Sequence, residues 1–147
     1  MAKRLINWRV VVHVVGSLLM ISGFLMAFSL PFSFYFKDGM HYYIILSCLI
    51  TFGAGLTARL STRSHHNDEI KKREGYLIVS LGWLSMAIFG TLPYYISSQI
   101  PSIHDAFFET MSGLTTTGAT ILGDTGHKIS ELAPSLLFWR SMTQWIG

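Results

Sequence analysis

Three long, predominantly apolar runs leave this chain few ways to fold: Val10 to Leu30, His41 or Tyr42 to Leu60, and Tyr76 to Tyr95. Inside a bilayer no water is available to backbone amides, so a spanning segment must satisfy them internally as a helix or in a closed barrel. Runs of about twenty residues suit helices, because a 1.5 Å rise per residue carries each one across a hydrocarbon core roughly 30 Å thick. Half of the 147 residues are hydrophobic and only 13% are charged, with a mean hydropathy of +0.43. That composition has too little polar surface to coat a water-soluble globule. The expected fold class is an all-α membrane protein.

Lys3, Arg4 and Arg9 precede the first run. A signal peptide also begins with basic residues, but this apolar stretch is too long and lacks a small-residue cleavage site. Gly16, Ser17 and Gly23 offer a surface that another helix can approach closely. His13 within the same run reads as an interhelical hydrogen bond rather than a proton path. Pro31 to Met40, with Phe32, Phe34 and Tyr35, reads as an aromatic interfacial turn. Cys48 is the one cysteine, so no intrachain disulfide forms, and its apolar setting suits a small packing residue. His65 and His66 stand near Asp68 and Glu69 in the polar segment Ser61 to Glu74. Adjacent histidines point in different directions on a helix, which favours a solvated loop over a metal site.

Lysines and arginines mark the cytoplasmic side of membrane helices. Three lie at the amino terminus and five more at Arg59, Arg63, Lys71, Lys72 and Arg73, whereas the alternate side holds Lys37 and Lys128. The amino terminus is thus expected inside and residues 97–133 outside. The net charge of +3 is then a topology signature and no reason to expect nucleic acid as a partner. Asp38, Asp105, Glu109, Asp124 and Glu131 fall on or near the outer side, where acids raise the local cation concentration.

On that outer side, Ser102-Ile103-His104-Asp105 follows Pro101 with capping-box spacing. A helix from Ile103 to about Gly113 would be roughly 15 Å long, about half a bilayer. Its carboxyl end carries the negative end of the helix dipole, and Gly113 is expected to let the chain leave the helix. Phe107, Phe108 and Met111 are expected to pack on neighbouring helices. Thr115, Thr116, Thr117 and Gly118 follow, offering carbonyls, hydroxyls and one freely turning backbone position. From Leu132 to Gly147 the chain is apolar again and starts a return helix. A span, a half-length helix, a threonine-glycine loop and a span make the order of a re-entrant loop, whose free carbonyls can replace water around a cation. The rival reading is a surface amphipathic helix with an external loop, on a non-conducting scaffold or accessory subunit. No HExxH, GxSxG or phosphate-binding glycine loop occurs, so no enzyme is expected.

At these residues the chain resembles a known family. DAFFETMSGLTTTGAT followed by LLFWRSMTQWIG is similar to the first pore repeat of the membrane subunit of bacterial Trk/Ktr-type potassium uptake systems. REGYLIVSLGWLSMAIFGTLPYYIS resembles that repeat's outer helix, and the two earlier spans resemble the extra amino-terminal helix pair of the Trk branch. The resemblance implies four such repeats around one pore in the inner membrane, with potassium as substrate and no cofactor. It also implies a homodimer of the full subunit and a cytosolic nucleotide-binding regulatory partner. Thr115, Thr116 and Thr117 match positions whose carbonyls face the ion, and Gly118 matches the filter glycine, with potassium at Thr116, Thr117 and Gly118. One loop cannot make a fourfold filter: either four copies assemble or, as the broken final span and the unpaired pore unit favour, the chain is the amino-terminal part of a longer protein. Residues 1–74 would be the helix pair with its cytoplasmic loop. Residues 75–147 would be the first outer helix, the pore loop and the start of the inner helix. Arg140, near the start of that helix, reads as a partner for an acid such as Glu109 in preference to a charge that repels or gates cations.

Overall fold

The computed structural model describes residues 6–62, 72–123 and 132–147, and all regular structure among them is helical. The helices are α1 (Trp8–Met26), α2 (Leu30–Phe36), α3 (His41–Ser61), α4 (Lys72–Gly90), α5 (Leu92–Ile96), α6 (Ile103–Leu114) and α7 (Pro134–Ile146). Three stretches are long and apolar enough to cross a membrane: Trp8–Phe36, His41–Ser61 and Lys72–Ile96. The histidine pair with Asp68 and Glu69 lies outside the described residues, as do Arg63, Lys71, Asp124, Lys128 and Glu131.

The expected interfacial turn is shorter than Pro31 to Met40. A 3₁₀ turn at Ala27–Ser29 joins α1 to α2, and the stretch stays helical to Phe36. Pro31 sits in the first turn of α2, where its missing N–H would have had no intrahelical partner, so it does not stop the helix. The turn itself is made by Lys37 and Gly39, at φ 54° and 74°. Pro93 occupies the same kind of position in α5.

α1 packs along both α3 and α4. A Cβ on Gly55 would lie 2.6 Å from the Gly16 carbonyl oxygen, and one on Gly23 would lie 3.0 Å from the Phe52 nitrogen. The two backbones touch, which is how helices gain dispersion contact where no hydrophobic effect drives them together. Gly16 and Gly23 therefore act as expected, whereas the Ser17 hydroxyl turns back to donate to the His13 carbonyl at 2.9 Å.

Polar contacts fix the two ends of the bundle. His13 Nδ1 lies 3.0 Å from Thr62 Oγ1, and the Asn7 N–H donates to Glu74 Oε1 at 2.8 Å. The start of α1, the end of α3 and the start of α4 are thereby gathered at one end. At the other end the Ser135 N–H donates to Asp38 Oδ2 at 3.1 Å, and the Ala133 N–H to Gln99 Oε1 at 3.3 Å. The main apolar core includes Met26, Ile44, Tyr94, Ile100, Leu136 and Trp139.

Gly53, with nothing within 4 Å of a Cβ built on it, provides a control for the Gly16–Gly55 contact. Gly55→Ala should lower the thermal midpoint of the purified protein in detergent, at a cost of about 1–3 kcal/mol from overpacking. Gly53→Ala should be neutral or raise it, since alanine gains up to about 1 kcal/mol over glycine in a helix. Equal midpoints for the two variants would show that the backbone contact contributes nothing.

Candidate functional site

α6 starts as its sequence predicts. Ser102 is extended and its hydroxyl accepts the Asp105 N–H at 3.4 Å. Twelve residues give a helix about 18 Å long, too short to cross a bilayer. α7 begins at the same end of the bundle and runs beside it in the same direction. Glu109 meets Arg140, Gly113 meets Thr143, and Leu114 meets Gly147. The chain thus enters at one end, turns at mid-depth after Leu114, and is back at the same end by Ala133.

The buried face of α6 differs from expectation. Ala106, Glu109, Thr110, Ser112, Gly113 and Leu114 are buried, while Phe108 is exposed and Phe107 and Met111 are half-buried. Close approach is the cause: a Cβ on Gly113 would lie 2.0 Å from Thr143 Oγ1, and one on Gly90 would lie 2.7 Å from Thr110 Cγ2. At those two points there is no room for a side chain beyond glycine. Gly113 accordingly serves packing and stays helical, and the exit falls two residues past the helix end.

That exit is a Schellman turn built on a threonine. Thr116 has φ 55°. Its N–H donates to the Gly113 carbonyl at 2.9 Å, and the Thr117 N–H to the Ser112 carbonyl at 3.1 Å. Glycine usually fills the left-handed position of this motif; a β-branched residue there is an outlier that costs of order 1–3 kcal/mol. The hydroxyls of Thr115 and Thr117 lie 2.9 Å apart on either side of it. Gly118 follows at φ 73°. Thr115 to Thr120 are exposed, and among the described residues no donor reaches the carbonyls of Thr115, Thr116 or Thr117.

Glu109 was expected among acids at an outer mouth, but its side chain is 0% exposed. Its Oε2 accepts Arg140 Nε–H at 2.8 Å. Its Oε1 accepts the Ile121 N–H at 2.8 Å and the Thr120 hydroxyl. Arg140 is thus paired with Glu109, and its Nη2 reaches the Gly118 carbonyl at 3.4 Å. The Ser112 hydroxyl donates to the Ala119 carbonyl at 2.6 Å. Asp105 is half-buried at the start of α6.

Asp38, another expected mouth acid, holds the start of α7. Ala133 at the N-cap has no side chain able to accept a bond, so the orphan N–H groups take acceptors from Gln99 and Asp38 elsewhere in the chain. Burial pushes the Asp38 carboxyl up. Hydrogen bonds from Ser135, Ser33 and Met40 outweigh it and hold the group below its ordinary value of 3.8. Ser112 and Thr120 were not singled out from sequence, and Thr116 was named there for its carbonyl, not for a left-handed backbone. The Ala133-Pro134 helix start was itself a signal that an acceptor must come from outside.

Membrane-length helices around a half-length helix that enters and leaves at one end define an integral membrane protein of pore-loop architecture. Residues 39–147 match the profile of the TrkH family, described as cation transport protein. The chain belongs to that family. It is 37% identical over 140 residues to the Trk system potassium uptake protein TrkH of Halomonas elongata, covering 95% of this chain and 28% of that protein. It is 49% identical over 81 residues to the TrkH protein of Escherichia coli strain K12, covering 54% of this chain and 16% of that protein. The crystal structure of the potassium transporter TrkH from Vibrio parahaemolyticus superposes with a TM-score of 0.85 at 33% identity, over 96% of this chain and 29% of that one. The chain spans less than a third of the length of these relatives.

Because the Asp38 carboxyl sits below its ordinary value, its contribution is complete above the unfolded pKa and fades as pH falls through the lower folded one. Asp38→Asn should cost about 1 kcal/mol at neutral pH, as loss of a helix cap does. The gap in thermal midpoint from the parent protein should be flat from pH 5 to 8 and should close only below about pH 4. A gap that closes near neutral pH would rule out the cap.

Proposed function

We propose that this chain forms the first pore repeat, with a preceding helix pair, of a potassium uptake subunit in the bacterial inner membrane. The observation that carries the reading is a half-length helix ending in a strained left-handed threonine, with three consecutive partner-free carbonyls just past its tip. Potassium would be bound where the carbonyls of Thr115, Thr116 and Thr117 replace its hydration shell, with Gly118 giving the loop its turn. The carboxyl end of α6 points its dipole at the same place. Selection arises from the number and field of the carbonyls, and no covalent chemistry takes part.

One loop supplies one side of such a site. Three further repeats of the same polypeptide would complete it, and the intact subunit would act as a homodimer under a cytosolic nucleotide-binding partner. Residues 1–74 form the helix pair and 75–147 the repeat, with the amino terminus cytoplasmic. The charge pattern supports this orientation, since Arg9, Arg59, Lys72 and Arg73 lie on segments gathered at one end of the bundle. Asp105 then lies at the opposite, outer end, where it attracts cations to the mouth.

Gly118→Ser in the intact transporter forces a side chain into φ 73°, a conformation that costs an L-residue about 1–2 kcal/mol. Potassium-over-sodium discrimination in flux assays should fall by about tenfold, the equivalent of about 1.4 kcal/mol. A cysteine at Thr117 should react with a small thiol reagent in sodium and be protected in potassium. Unchanged discrimination and potassium-independent labelling would together dismiss the filter.

A further inference from the structure

We propose that Glu109 and Arg140 are positioning residues that decide which carbonyls of the loop are free for a cation. The inference rests on the filter reading above and adds to it the device that shapes the loop. A plain structural ion pair would join two helices and stop there. Here one carboxylate joins three separate pieces of chain. It stands on α6, accepts Arg140 of α7 at 2.8 Å, and accepts the Ile121 N–H of the returning limb at 2.8 Å together with the Thr120 hydroxyl. Residues 110–120 are therefore bracketed between Glu109 and its own contact at Ile121, which sets the width of the turn that carries Thr115 to Gly118.

The same network sorts the carbonyls. Gly118 gives its oxygen to Arg140 Nη2 at 3.4 Å, a long contact, and Ala119 gives its oxygen to the Ser112 hydroxyl at 2.6 Å, a short one. Those of Thr115, Thr116 and Thr117 have no donor among the described residues. The boundary between engaged and free carbonyls falls between Thr117 and Gly118, and Gly118 at φ 73° is where the chain turns from one set to the other. This assigns the cation-facing set of this repeat to the three threonines and withdraws the Gly118 carbonyl from it. The fork of arginine is required, because Nε is committed to Glu109 while Nη2 reaches the loop. Lysine has one nitrogen in place of the two separated ones that make these contacts.

The test uses the intact transporter in proteoliposomes, reading the apparent potassium KM, the maximal rate and potassium-over-sodium discrimination, with thermal midpoints alongside. Glu109→Gln keeps an acceptor for Ile121 and Thr120 but removes the charge that holds Arg140. Arg140→Lys keeps the charge but loses the second arm. Each should lower discrimination by about tenfold or more, and the double variant should do no worse than either single one, as members of one coupled unit behave. Ser112→Ala, which frees only Ala119, should cause a smaller loss. If Glu109→Gln does not fold, Arg140→Lys and Ser112→Ala carry the test. Discrimination unchanged in the folded variants, or a fall in maximal rate with discrimination intact, overturns the proposal. Should that occur while Gly118→Ser still lowers discrimination, the filter reading stands and only the positioning role falls. Should Gly118→Ser also leave discrimination unchanged and the cysteine at Thr117 label independently of potassium, the filter reading falls and takes this inference with it.

Discussion

A carboxylate carried to the middle of an apolar bundle must be matched on the spot, and the way Glu109 is matched governs the pore-loop half of the molecule. Removing one partner from a buried pair leaves an uncompensated charge and typically costs about 3–5 kcal/mol. That penalty makes the pair effectively obligatory. α7 is held at the register where Arg140 reaches Glu109, and the returning limb of the loop at the point where Ile121 and Thr120 can donate. Gly113, pressed against Thr143, and Gly90, whose carbonyl accepts Trp139 Nε1–H at 3.0 Å, allow the helices to come that near. Small residues bring the backbones together, and the charge fixes their register.

The amino-terminal helices are part of the same construction. Phe32 stacks on Phe138 at a centroid distance of 3.9 Å, and Asp38 accepts from the first turn of α7. Since α7 carries Arg140, the turn between α2 and α3 reaches the loop through two rigid steps: cap to helix, and helix to carboxylate. A division into residues 1–74 and 75–147 follows the order of the chain, but the packing crosses it. A helix pair that served only as an anchor would have no need to cap another segment's helix.

Much of this is legible in the sequence alone. Long apolar runs admit one reading because hydrocarbon leaves the backbone no alternative, and Ser102 with Asp105 marks a helix start that the structure keeps. The differences have two causes. Pro31 to Met40 reads from sequence as one aromatic interfacial turn, yet a preceding 3₁₀ turn places Pro31 in the first turn of a new helix. Gly113 was read as the exit because glycine favours left-handed backbone, but close packing claimed it and the turn fell on Thr116. Glu109 and Asp38 were grouped with acids of an open mouth because sequence gives the side of the membrane and says nothing of burial. Pro31 is a local case; the other differences arise where a long-range contact, to Thr143, Arg140 or Ser135, overrides what the neighbouring residues suggest.

Thr116 shows what the override achieves. Glycine in its place would relieve the strain and also let the loop wander, since glycine populates many backbone conformations. Threonine, stiff at χ1, is held in the left-handed region by the two bonds of the Schellman turn, with the hydroxyls of Thr115 and Thr117 in contact beside it. The strain of roughly 1–3 kcal/mol is borne by a network anchored at Glu109 and Ser112, at the far ends of the turn. A site that distinguishes ions by the placement of carbonyls gains from such stiffness. The loop's free carbonyls therefore flank a backbone position held by two hydrogen bonds, beside a glycine that turns the chain without strain.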